Sequence, residues 1–206
     1  MLSSRQVGRK LSAKLQLTTS ELYSGVRQTD ITETKFREIE DIAKNIAKYP
    51  IYYVDVPGSV EEMKQTVFHF CENEGKDKWV IIILDHTLLT KGKSGDSERD
   101  TLSQLQYMFM ELKKYNSNTI IQLSQMNRDI ESSERIQNVS MHFPMRKDIF
   151  GGDSVFMASD YVIVIHRPEL LNIEAYGPER WNTTNKIYMH FLRSKRNLIS
   201  FFTYYM

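Results

Sequence analysis

Three short stretches carry residue types suited to chemistry at a strand end. The first is Ile81-Ile82-Ile83-Leu84-Asp85. Four hydrophobic residues closed by an acid set one carboxylate at the rim of a buried strand. Nucleotide hydrolases hold Mg²⁺ there to neutralise β- and γ-phosphate charge. A strand that merely ends in Asp is the plainer reading. The second is Ile120-Ile121-Gln122-Leu123-Ser124-Gln125-Met126-Asn127-Arg128. Gln125 emerges at a strand end, where an amide can orient a water or contact a γ-phosphate, although most polar residues so placed do neither. The third is Arg193-Ser194-Lys195-Arg196-Asn197. Cations on a turn are ordinarily just solvated, whereas a protruding Arg could reach a neighbouring subunit's nucleotide as an arginine finger. His86 beside Asp85 invites a general-base reading, but that needs a substrate and a geometry the sequence does not supply. His69, His142, His166 and His190 show no metal-ligand spacing, which argues against zinc.

The elements that must position these residues alternate between helix and strand. Val7, Leu11 and Leu15 form one helical stripe. Thr18-Thr19-Ser20-Glu21 has capping-box spacing and opens a short helix that Gly25 can close. Phe36, Ile39, Ala43 and Ile46 give a second stripe that must stop before Pro50. Ile51 to Val56 reads as a strand ended by Pro57-Gly58. Ser59-Val60-Glu61-Glu62 repeats the capping-box pattern, with Val60, Met63, Val67 and Phe70 as the core face of its helix. Trp79 to Leu84 suits a strand buried on both faces, as in a parallel sheet. Leu102, Leu105, Phe109 and Leu112 mark the next helix, and Thr119 to Gln125 the next strand. A polar stretch of about twenty residues follows, too long for a casual connection. Tyr161 to His166 is a further buried-type strand, and Lys186–Leu192 with Leu198–Tyr204 predict a hairpin around the basic turn. The expectation is one α/β domain over residues 1–206, with a largely parallel central sheet and crossover helices.

The chain has 206 residues, of which 41% are hydrophobic and 26% charged, ordinary globular values that exclude disorder and a fibre. No apolar run approaches the roughly 18 residues of a membrane span. Lys and Arg total 27 against 26 acids, so no global basic field announces nucleic acid. The basic residues are unevenly spread: residues 1–20 hold Arg5, Arg9, Lys10 and Lys14, residues 186–206 hold Lys186, Arg193, Lys195 and Arg196, and neither group is accompanied by a local excess of acids. The start also suits a mitochondrial transit peptide. The single Cys71 excludes an internal disulfide and fits a reducing compartment.

In this order and spacing, the three stretches resemble the C-terminal motor domain of DnaB-like replicative helicases, hexameric RecA-like ATPases. Ser124-Gln125-Met126-Asn127-Arg128 is similar to that family's Ser-Gln-Leu-Asn-Arg signature. Asp148-Ile149-Phe150-Gly151-Gly152-Asp153-Ser154-Val155, followed by Asp160, resembles its Asp-Leu-Arg-Glu-Ser-Gly-Ser-Ile…Asp segment. Lys195-Arg196-Asn197 resembles the end of its Lys-Gln-Arg-Asn motif, and Ile51–Pro57 the strand before the magnesium-site helix and strand. The resemblance covers nearly the whole chain, first helix included, which displaces the transit-peptide reading.

The resemblance implies a RecA-like α/β fold, a mostly parallel central sheet with a C-terminal β-hairpin, and an ATP-dependent DNA helicase motor using ATP and Mg²⁺. Asp85 matches the magnesium-organising acid, Gln125 the γ-phosphate sensor and Arg196 the arginine finger acting on the adjacent subunit. The segment from Met126 to Gly152 corresponds to the central-channel loop that grips single-stranded DNA, where Arg128, Arg146 and Lys147 are cations for phosphate. The family's Arg-Glu pair is replaced by Phe150 and Gly151, and a glycine by Asp153. Phe150 is a candidate to stack on a base, or is simply packed. Ser194 replaces a Lys, for which Arg193 and Lys195 are neighbouring substitutes, Lys195 being the candidate on the nucleotide. No Gly-x-x-x-x-Gly-Lys-Ser/Thr phosphate loop occurs in these residues. The expectation is therefore a motor domain lacking its first strand, phosphate loop and catalytic acid, through a partial gene, a split gene or a diverged paralogue. Implied partners are single-stranded DNA and a homo-hexamer or a chain carrying the phosphate loop. The implied location is the bacterial cytoplasm, or the host's if phage-encoded, and the implied movement 5′-to-3′. A non-catalytic RecA-like single-stranded-DNA-binding or structural subunit is the alternative.

Overall fold

The computed structural model describes all residues except 1, 2, 24–32, 57, 87–89, 91, 93, 116, 139–141, 195–200 and 206. The chain divides into two compact units, residues 1–56 and 57–206.

The first unit contains α1 (Ser3–Leu15), α2 (Thr19–Tyr23) and α3 (Glu33–Ala47), with α1 touching both others. The predicted stripe on α1 holds, with Leu15 buried, whereas Phe36 on α3 is exposed. Ile51 to Val56 is a correction: it forms no strand, and Ile51, Tyr52, Tyr53, Val54 and Val56 are exposed. An extended apolar segment becomes a strand only when a neighbouring strand takes its N–H and C=O groups. None of the described strands pairs with it.

The second unit begins with α4 (Val60–Glu72), β1 (Val80–Leu84), α5 (Glu98–Tyr115) and β2 (Asn118–Gln122). The capping box predicted for α4 is formed: the Ser59 N–H donates to Glu62 Oε2 at 2.7 Å and the Glu62 N–H to Ser59 Oγ at 3.3 Å. A second reciprocal cap, Ser97 with Asp100, opens α5. Leu105, Met108, Phe109 and Leu112 of α5 form a fully buried cluster. Val60, Met63, Val67 and Phe68 of α4 pack against it, as do Leu84 and Ile120 of the strands. Each such side chain contributes about 1.5–3 kcal/mol through burial. Gly75 closes the α4–β1 connection, where a Cβ would lie 2.7 Å from Val80 Cγ2.

β1 and β2 run parallel in register Val80↔Asn118 to Leu84↔Gln122. Here burial departs from expectation. Val80, Ile82 and Leu84 turn inward, but Ile81 and Ile83 remain 62% and 63% exposed. Within this unit, helices pack on one face of the pair, and no described residue of the unit buries Ile81 or Ile83 on the other.

Beyond β2 come α6 (Ser133–Gln137), α7 (Gly152–Ala158), β3 (Tyr161–His166), β4 (Ala175–Tyr176), β5 (Trp181–Asn182), β6 (Lys186–Ser194) and β7 (Phe201–Tyr205). Single turns of 3₁₀ helix occur at Arg128–Glu131, Arg146–Asp148 and Pro168–Leu171. β6 and β7 form the expected antiparallel hairpin, and β3 pairs antiparallel with β6. β3 is also exposed on one side, through Tyr161, Ile163 and Ile165. The described strands thus form a parallel pair, an antiparallel three-stranded sheet and the small β4–β5 ribbon, not one mostly parallel sheet.

Candidate functional site

The parallel pair sets the geometry of the first group of residues. The Leu123 N–H donates to Leu84 O at 3.0 Å, extending the ladder to the last residue of β1. Asp85 and Ser124-Gln125 therefore leave the same carboxyl edge of adjacent strands, where ligands bind in open α/β sheets. Asp85 and His86 are half-buried and Gln125 is exposed. Buried His86 Nδ1 has no hydrogen-bond partner among the described residues.

Gln125 is also the hinge between this edge and the segment after it. Its carbonyl accepts the Phe150 N–H at 3.0 Å, and Met126 forms an isolated antiparallel bridge with Ile149. The Asn127 N–H donates to Asp148 O at 2.7 Å, and Asn127 Nδ2 to Lys147 O at 2.8 Å. The two ends of the 126–152 segment are thus fastened together at the strand edge.

A buried ion pair fastens it further. Arg135 of α6, with its side chain 7% exposed, donates to both Asp148 oxygens at 2.5 and 3.0 Å and to Phe143 O at 2.9 Å. Asp148 also accepts the Met145 N–H at 2.8 Å. Burial opposes its charge, yet the Arg135 hydrogen bonds and the Met145 amide hold its carboxyl below the usual range. Neither Arg135 nor Asp148 carries a sequence signal for this role beyond Asp148's place at the head of the signature segment.

The three cations expected to meet phosphate, Arg128, Arg146 and Lys147, lie on this fastened segment, and Phe150 is half-buried. Arg146 pairs with Asp153 at 2.9 Å and lies 4.8 Å from the Phe156 ring centroid. Gly151 has φ +84°, and a Cβ there would sit 3.0 Å from both Leu102 Cδ1 and Val155 Cγ2. The glycine is therefore required by backbone and packing alike, which accounts for the departure from glutamate.

Arg193 caps α7 by donating to the Phe156 and Met157 carbonyls, and its Cζ lies 5.4 Å from the Phe156 centroid. Lys195 and Arg196 follow β6 in sequence and lie outside the described residues.

A further cluster had no signal in the spacing. His142, His166 and His190 are buried around Tyr176. The His142 and His166 rings stack at 5.2 Å, and Tyr176 Oη and His190 Nε2 are hydrogen-bonded at 2.8 Å. Both nitrogens of His142 and Nε2 of His166 lack hydrogen-bond partners among the described residues. Burial pushes His166 and His190 down to about 4, His166 with help from the neighbouring histidines and Arg135, and lowers His142 as well. No group of three metal-ligating side chains placed to hold an ion occurs among the described residues.

The parallel strands thus bring an acid and an amide to one edge, with a tethered basic segment following. The chain is similar to a solved DnaB-like replicative helicase described with its interactions with primase, at TM-score 0.78 and 15% identity, over 100% of this chain and 47% of that one. It is likewise similar to a second solved structure, described as an ATPase domain, at TM-score 0.77 and 15% identity, over 98% of this chain and 67% of that one. The DnaB-like helicase C-terminal domain family matches residues 1–196, and the chain belongs to that family. It spans about half the length of the first of these structures. No curated protein matches it. No described helix is long and apolar enough to cross a membrane.

Proposed function

We propose that these residues form the magnesium, sensor and trans-acting arginine portion of an ATP-dependent replicative DNA helicase motor. The observation that carries this reading is the common carboxyl edge of β1 and β2. Asp85 follows β1 by one residue and Gln125 follows β2 by three, and the Gln125 carbonyl accepts the Phe150 N–H at the far end of the basic segment. A shift of Gln125 toward a γ-phosphate therefore moves the DNA-facing segment directly.

Mg²⁺ and ATP suit the residues present. Mg²⁺ prefers oxygen ligands and keeps several waters and phosphate oxygens, so one strand-end carboxylate is an adequate protein contribution. Asp85 would hold the ion, which when bound neutralises charge on the β- and γ-phosphates. Gln125 orients the attacking water, Arg128, Arg146 and Lys147 take the strand's phosphates, and Phe150 offers a ring to a base. Lys195 and Arg196 reach the neighbouring subunit's nucleotide. A phosphate loop on a companion segment supplies the rest, and its strand joins the two open sheets into one mostly parallel sheet in a hexameric ring.

The test uses rings assembled from this chain with a phosphate-loop segment. Arg196→Ala should lower hydrolysis ~10³–10⁵-fold with nucleotide binding nearly intact, because the missing charge acts mainly in the transition state. Mixing it with subunits dead at the phosphate loop should restore some activity. Hydrolysis at the parental rate would refute the finger assignment.

A further inference from the structure

We propose that Phe156 is a positioning residue linking the DNA-facing segment to the strand that ends in the basic turn, an inference that rests on the reading above. Two guanidiniums share its ring. Arg146, from the 3₁₀ turn in the 126–152 segment, lies 4.8 Å from the centroid, and Arg193, at the end of β6, lies 5.4 Å away. Both distances fall within the roughly 6 Å reach of a cation–π interaction. The two cations are otherwise held differently. Arg146 pairs with Asp153, an exposed carboxylate at 2.9 Å. Arg193 is tied to the Phe156 and Met157 carbonyls of the same helix.

This arrangement has two states. In one, Arg146 rests on Asp153 and the ring beside a like charge. In the other, a phosphate takes the place of Asp153, draws Arg146 outward, and leaves the ring to Arg193 alone. An exposed ion pair is worth little, so a phosphate, which accepts the same guanidinium through charge-assisted hydrogen bonds of the same kind, readily takes the place of the carboxylate. Removing the like charge tightens Arg193 on the ring and on the end of α7, and so stiffens the end of β6. DNA binding on one side of Phe156 therefore biases the carboxyl end of β6 on the other. By linkage, anything that fixes Arg193 strengthens phosphate binding at Arg146 by the same factor.

The experiment uses the 206-residue chain and a fluorescein-labelled oligo(dT). Anisotropy follows binding, and hydrogen exchange follows the carboxyl-terminal amides of β6. Saturating oligo(dT) should slow exchange there measurably and by no more than about fivefold, the worth of a whole exposed cation–π interaction setting the ceiling on what relief of the like charge adds. Phe156→Leu keeps an apolar side chain but removes the ring face; it should still bind oligo(dT) and show no change in exchange. Phe156→Tyr should restore the response. Arg146→Ala should show the slowed exchange without DNA, with no further change on adding it. An unchanged response in Phe156→Leu, or parental exchange in Arg146→Ala, overturns the coupling and leaves the DNA reading intact. Failure of the parent to bind oligo(dT) at low salt overturns the DNA reading and the coupling with it.

Discussion

Acidification should destabilise the second unit through its buried histidines, above the pH range in which Asp148 loses its charge. His166 and His190 are 9% and 1% exposed, and His142 is fully buried beside them. The groups facing them are Tyr176 and Tyr188, which stay neutral over this range, and the Arg135–Asp148 pair, whose net charge is close to zero. Unfolded histidine titrates near 6.5, whereas His166 and His190 are held down to about 4. Between these values the unfolded chain binds more protons than the native one, so stability falls as pH drops. Each group loses roughly 3 kcal/mol across the window, most of it by about pH 4.5. Two such losses, about 6 kcal/mol together, reach the lower end of a typical domain's stability of about 5–15 kcal/mol. Asp148 works in a lower pH range: its depressed carboxyl contributes stability that disappears as pH falls below the usual Asp value of 3.8. Urea unfolding at roughly pH 7, 5.5 and 4.5 measures the slope. His166→Phe should flatten it by about half, because the substitution removes one proton site and leaves no partner unpaired. A stability that stays level across that range would refute the premise that these imidazoles are neutral and dry.

Asp148→Asn should cost about 3–5 kcal/mol in urea unfolding, because Arg135 is left buried without its counter-charge; a loss below about 1 kcal/mol would refute that account. Leu105→Ala, at the centre of the α5 cluster, should cost about 2–5 kcal/mol by the same measurement. The open apolar faces at Ile81, Ile83, Ile163 and Ile165 should make the purified chain associate at high concentration. Ile83→Lys with Ile165→Lys should shift it toward monomer in light scattering, and a parental chain already monomeric would count against the idea. Replacing Arg128, Arg146 or Lys147 by Ala should lower the salt dependence of oligo(dT) binding by about 0.7 in log–log slope for each phosphate left unneutralised, with equal weakening on any base sequence.

Local signals in the sequence are sufficient wherever one short segment carries its own determinants. Ser59 and Glu62 lie three residues apart and cap α4 as read, and Leu102, Leu105, Phe109 and Leu112 lie buried along α5. Asp85 directly follows β1, as read, whereas β2 ends at Gln122 and leaves Gln125 three residues beyond it instead of at the strand's last position. The hairpin of β6 and β7 likewise follows from two runs around a basic turn. Tertiary structure decided which apolar faces are covered. Ile51–Val56 and Trp79–Leu84 look alike as compositions, yet one pairs with nothing described and the other is covered on one side only. Tertiary structure also decided the pairings across long separations: Arg135 with Asp148, His142 with His166 and His190, and Arg146 with Arg193 over Phe156. Periodicity records what a residue prefers to face, but burial and ion pairing depend on surfaces contributed from elsewhere in the chain. Those surfaces meet only once the helices and strands have packed.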